Sequence, residues 1–170
     1  SKTQIVGVKG RRVWDSRGWP TVEVDVTLEC GAMGRAIAPA GASRGRAEAV
    51  DLRDGEEAFG GLDVTQAISG IDGEISSALV GLDGMEQVDV DDTLISLDGT
   101  PDKARLGGNA TVAVSMAVAH ASAAAQGVPL WQYLGGTNAG PMPLPEIQIF
   151  GGGAHAARRV DVQDFMVIAT

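Results

Sequence analysis

The stretch Thr21-Val22-Glu23-Val24-Asp25-Val26-Thr27-Leu28-Glu29 decides how this chain is read. Apolar Val22, Val24, Val26 and Leu28 alternate with polar Glu23, Asp25, Thr27 and Glu29. Residues two apart share one face of a strand, so this is a strand with one face buried and the other wet. Downstream, Gly31 and Ala32 mark a hairpin, and the apolar run Ala36-Ile37-Ala38 stops at Pro39, which has no N–H to give to a ladder. Upstream lies Ile5 to Val13. The three segments together predict a three-stranded antiparallel meander.

Beyond the meander the period changes. Val64, Ala67, Ile68, Ile71, Ile75, Ala78 and Leu79 recur at steps of three and four, the apolar face of a helix, with Gly70 and Gly73 weakening its middle. Glu86 to Leu97 is a second, acidic helix that ends in the turn Asp98-Gly99-Thr100-Pro101. The clearest helix runs from Ala110 to Gln126, with Asn109 as its expected cap and Gly127 and Pro129 as its stop. Leu144 to Phe150 then reads as a strand entering Gly151-Gly152-Gly153, and Phe165 to Ile168 as another. Meander, helices and new strands in that order predict an α+β domain followed by the opening strands of a second sheet or barrel. The boundary falls in Gly135 to Pro143.

The 170 residues carry 13 Lys and Arg against 22 Asp and Glu, a net charge of −9 that argues against a general nucleic-acid binder and against a membrane-surface binder. With 24 glycines and 4% aromatics, packing must rest on Ala, Val, Ile and Leu. The single cysteine, Cys30, excludes an intrachain disulfide and is expected to be a small buried thiol. The start lacks a signal-like apolar stretch, and no apolar run is long enough for a membrane helix. A cytoplasmic setting is the expectation.

Two loops hold residue types suited to chemistry. Pro39-Ala40-Gly41-Ala42-Ser43-Arg44-Gly45 sets one hydroxyl among small residues, the composition of a mobile lid, and a Ser oxygen suits a hard cation such as Mg²⁺. An ordinary surface turn has the same composition. Gly151-Gly152-Gly153-Ala154-His155 lets a ligand approach the backbone, with His155 placed to donate to an anion and Gln163 and Asp164 to hold a substrate or water. A structural role for this second loop stays open. His120, at helical spacing from Val112 and Met116, reads as a helix-surface or packing residue with no chemical role. The acidic clusters Asp89-Asp91-Asp92 and Glu56-Glu57 read as solvated faces.

Several blocks, taken in order, resemble the N-terminal part of the enolase family. They are Asp15-Ser16-Arg17-Gly18 with Pro20 to Val26, and Pro39 with Gly41-Ala42-Ser43 and Gly45. Glu48-Ala49-Val50 follows with Leu52-Arg53-Asp54-Gly55, then Leu97-Asp98-Gly99-Thr100 with Lys103, Leu106-Gly107 and Asn109-Ala110. The last are Gly127, Pro129-Leu130, Tyr133 to Gly136, and Gly152 to Ala156 with Gln163. The resemblance implies an α+β cap, a meander plus helices, over residues 1–136, and over 137–170 a linker and the first two strands of an (α/β)8 barrel.

It also implies a Mg²⁺-dependent lyase of glycolysis that dehydrates 2-phospho-D-glycerate to phosphoenolpyruvate, acting as a homodimer. Removing a proton next to a carboxylate adds a second negative charge there, and a cation placed beforehand stabilises it in a way that water, which must reorganise, cannot. Carried over position by position, Ser43 would ligate the second, substrate-linked Mg²⁺, and Gly41 and Ala42 would bind substrate. His155 would contact the phosphate and hydroxyl end, and Gln163 and Asp164 would bind substrate and serve the acid side of the reaction. The family's lysine base, proton-donating glutamate and three carboxylate metal ligands lie further along the barrel, so the chain is expected to be a fragment of a longer product.

Departures from the family pattern cluster near these positions. Trp19 stands for Asn, Ala40 and Arg44 for Ser and Thr, Gly151 for Asn, and Asp164 for a Glu one methylene longer. Together with Arg158 and Arg159, Arg44 raises an alternative: a relative similar to carboxyphosphonoenolpyruvate synthases, with a more anionic substrate. A non-catalytic enolase-like module is the other.

Overall fold

The structure is a computed structural model that describes residues 1–41, 44–136 and 140–170, with His155 described by its backbone only. The three predicted strands form one antiparallel sheet in the order β1 (Ile5–Trp14), β2 (Pro20–Leu28), β3 (Met33–Ile37). The alternation of β2 sets the register: Val24 lies between Gly10 and Ala36, and Val22, Val24, Val26 and Leu28 all lose their solvent contact. Full burial of each such side chain contributes about 1.5–3 kcal/mol, so a slip of one residue, which would turn all four outward, is strongly disfavoured.

The wet face of the sheet is an ionic lattice. Arg11 bonds Asp25 at 2.7 Å and reaches Glu23, while Arg35 closes on Asp25 at 2.6 Å. The Arg35 hydrogen bond is the chief reason the Asp25 carboxyl sits at about 2. On the free side of β1, Asp72 accepts the Gly10 peptide N–H at 2.7 Å and the Lys9 ammonium, which blocks that stretch of edge against pairing with another chain.

The buried face carries the helices. Thr65–Gly70 (α1), a wider π turn at Ile71–Ile75 and Ser76–Leu79 (α2) form one continuous helical run, with the π turn falling where Gly73 lowers helix propensity. Its predicted apolar face is fully buried at Ala67, Ile71, Ile75 and Leu79. Gln87–Asp98 (α3) and Gly108–Gln126 (α4) follow, then a short α5 (Leu130–Gly135) that the sequence reading did not anticipate. α4 lies so close to the sheet that a Cβ on Gly34 would stand 2.0 Å from the Ala117 carbonyl oxygen and 2.2 Å from the Ala121 nitrogen. Only glycine opposite alanine permits this approach. The core is built from Ile, Val, Leu and Ala, as the scarcity of aromatics requires.

Two expectations are corrected. Cys30 is exposed, because β2 ends at Leu28 and the thiol falls in the turn that follows. Asn109 lies inside α4 and does not cap it: its Oδ1 accepts the Leu52 N–H at 3.2 Å and its Nδ2 donates to the Leu52 carbonyl at 3.1 Å. The C-terminal stop holds, with Gly127 left-handed at φ 68°.

The tail forms a separate antiparallel pair, β4 (Glu146–Gly151) and β5 (Asp164–Ile168). Every residue of β4 is exposed, and Phe150 stacks on Phe165 at 4.1 Å.

Candidate functional site

The turn between β1 and β2 is built by one carboxylate. Asp15 accepts the peptide N–H groups of Arg17 at 2.8 Å and Trp19 at 2.9 Å, and the Trp19 bond is the main reason its carboxyl is held below the usual carboxylate range. The tightened turn aims the Arg17 guanidinium at the Ala40 carbonyl. A second anchor is Arg53, which bonds Asp51 at 2.7 Å and the Leu62 carbonyl at 2.7 Å, and also reaches the Pro20 carbonyl. Asp51 in turn accepts from Arg44 at 3.2 Å, and Glu48 takes the Gly45 N–H at 2.6 Å. The predicted lid is therefore fastened at Ala40 on one side and at Arg44 and Gly45 on the other.

Gly41 is exposed and lines a cavity of about 240 Å³ with Arg44, Glu48, Asp51 and Asn109. Ala42 and Ser43, assigned to substrate and metal, lie outside the described residues.

The second group gathers at one end of the β4–β5 hairpin. A Cβ on Gly152 would stand 2.0 Å from the Val162 carbonyl oxygen, so the Gly-Gly-Gly run allows the two arms to close on each other. The Gly152 N–H donates to the Gln163 carbonyl at 2.6 Å, and the Gly153 N–H to Val160 at 2.7 Å. This brings the turn Gly153–Ala156, which carries His155, beside Gln163 and Asp164. Both of the latter are exposed, and Asp164 Oδ1 accepts from Gln148 Nε2 at 2.7 Å. Among the described residues, no hydrogen bond joins Gly41 to this second group.

Among the described residues, no three His, Cys, Asp or Glu side chains are gathered to hold a cation, so they do not by themselves fit Mg²⁺. Asp89 and Asp92 are exposed, and Asp91 accepts from Gln87 at 3.1 Å. Among the described residues, no helix is long and apolar enough to cross a membrane.

The quoted motif blocks turn out to be largely structural. Asp54 accepts the Thr65 and Gln66 N–H groups at 3.0 and 2.9 Å, and so satisfies the open end of α1 from 11 residues upstream. Asp98, 2% exposed, accepts from the Thr100 and Leu106 N–H groups. A family model for the N-terminal domain of enolase, "Enolase, N-terminal domain", matches residues 5–134. This α+β chain belongs to the enolase family through that domain.

Sequence alone marks Trp19 as a departure near the candidate positions but does not bring Arg17 and Arg53 to the same place. Two of them sat inside quoted blocks, but periodicity says nothing about which loops meet, and the meeting depends on the Asp15 turn and the Arg53 anchor.

Proposed function

We propose that this chain is the cap and first rim of a Mg²⁺-dependent phosphopyruvate hydratase that converts 2-phospho-D-glycerate to phosphoenolpyruvate. The observation that carries the reading is the family match over residues 5–134. Residues 1–136 form the cap, and 137–170 lead into the barrel domain. Mg²⁺, when bound, supplies the positive charge that stabilises the carboxylate of the deprotonated substrate.

The part left to this chain is binding and the acid side. Gly41 and Ala42 would take substrate at the lid, Ser43 would be its metal ligand, and His155 would contact the phosphate and hydroxyl end. A hydroxyl leaves readily only as water, and a carboxyl group beside it supports the proton delivery made by the glutamate further along the barrel. Asp164 suits that place: Oδ1 is oriented by Gln148, and Oδ2 has no partner among the described residues. Gln163, adjacent on the same rim, would hold the hydroxyl in line.

The protein would act as a cytoplasmic homodimer, which light scattering on a chromatographed sample tests directly. For the reaction itself, the protein is expressed from its complete coding sequence and supplied with 2-phosphoglycerate. Mg²⁺-dependent formation of phosphoenolpyruvate is expected, and no turnover with Mg²⁺ present would favour a non-catalytic module. The reading with a more anionic, phosphonate-bearing substrate draws on exposed Arg158 and Arg159 beside His155. At Arg44 only Nη2 meets Asp51, at 3.2 Å.

A further inference from the structure

A cavity of about 280 Å³ opens between the β1–β2 turn and the segment after β3, walled by Asp15, Arg17, Trp19, Gly41, Arg44 and Arg53. Its charge runs against the chain. The walls set three guanidinium groups against the single carboxylate of Asp15, with Asp51 behind Arg44 and Arg53, in a protein whose net charge is −9. The guanidinium groups are also only partly used.

Among the described residues, Arg17 spends Nη2 on Ala40 and Asp15, Arg44 spends Nη2 on Asp51, and Arg53 spends Nε and Nη1. The remaining N–H donors, Nε and Nη1 on Arg17 and Arg44 and Nη2 on Arg53, are without partners there. Arg53 is held at 13% exposure, so its free edge is already oriented. Trp19, 42% exposed, adds a flat apolar wall beside these donors.

We propose that this cavity binds a small anion carrying a planar ring, its phosphate or carboxylate on the arginines and its ring against Trp19. Each free guanidinium N–H can donate a charge-assisted hydrogen bond to such a group, three side chains together surrounding it, and an indole face favours a ring over an aliphatic chain. At about 280 Å³ the cavity has room for one ring and one phosphate.

The probe is phenyl phosphate, titrated calorimetrically into the full-length protein with a chelator present so that a Mg²⁺-dependent substrate site stays silent. Saturable binding with quenching of tryptophan fluorescence is expected, while benzyl alcohol gives neither. Arg44→Gln should weaken binding about tenfold or more, since a charge-assisted pair is lost, and Trp19→Asn should weaken it several-fold and remove the quench. Arg46→Gln, an exposed arginine outside these walls, should leave affinity unchanged. An unchanged melting temperature for Arg44→Gln shows that the variant is folded. The proposal is overturned by no saturable binding up to about 10 mM. It is equally overturned by equal losses in Arg44→Gln and Arg46→Gln, or by benzyl alcohol binding as tightly as the phosphate.

Discussion

The two sheets of this protein are made of similarly apolar strands and use them in opposite ways. In the meander, Val22, Val24, Val26 and Leu28 all face the helices and are at most 1% exposed. In the hairpin, Ile147, opposite Val167, is 50% exposed and Ile149 64%. Strand formation is thus local, whereas burial requires a partner layer, and among the described residues only the meander has α4 and the α1–α2 run laid against it. The hydrogen bonds tell the same story. Those of the meander and its turns reach Asp72, Asp63 and Ala38, while among the described residues those of the hairpin stay within 140–170.

The sharpest way to break this comparison is to make the same collision in both sheets. A Cβ on Gly34 and one on Gly152 would each stand 2.0 Å from a backbone oxygen. Gly34→Ala drives the sheet off α4 and is expected to cost about 4 kcal/mol of global stability. Gly152→Ala is expected to leave the main thermal transition within about 0.5 kcal/mol and to abolish hydrogen-exchange protection only in β4 and β5. Equal losses in denaturant melts would show that the two sheets unfold as one.

Leu79→Ala opens a cavity in the core and should cost about 3 kcal/mol, against less than about 0.5 kcal/mol for Ile149→Ala. Asn109→Ala removes both hydrogen bonds to Leu52 and should cost about 1–2 kcal/mol by urea denaturation, with no further loss from capping.

The smallest effect is electrostatic. Asp25 stays ionised in the folded sheet down to about 2, against 3.8 for the free side chain, so it adds stability at every pH above about 4. That stability is lost as the pH falls from about 4 to about 2. With Arg11 and Arg35 40% and 54% exposed, the contribution is held to about 1 kcal/mol, and Asp25→Asn should flatten the acid limb of the stability curve by that amount.

Most of this architecture was legible in the sequence because its signals are periodic. The alternation at Val22 to Leu28, the three-and-four spacing from Val64 to Leu79 and the Gly127 stop all describe contacts within one element. What stayed hidden depended on contacts between elements. Asn109 looks like a helix cap until Leu52 is brought beside it, and Asp54 and Asp98 look like generic acids until the N–H groups they satisfy are in place. The arginine-walled cavity is of the same kind. Arg17, Arg44 and Arg53 lie in three separate segments and converge only through the Asp15 turn and the Asp51 pair. The glycine loop and the strand after it are legible in the sequence, because the close approach at Gly152 demands glycine.

The most direct test of the functional account is turnover of 2-phosphoglycerate, with Mg²⁺, by the protein expressed from its complete coding sequence and by its Ser43→Ala and His155→Ala variants. The account predicts that each variant keeps the parent's melting temperature and loses about 100-fold or more in kcat/KM. Wild-type turnover in both variants would contradict it.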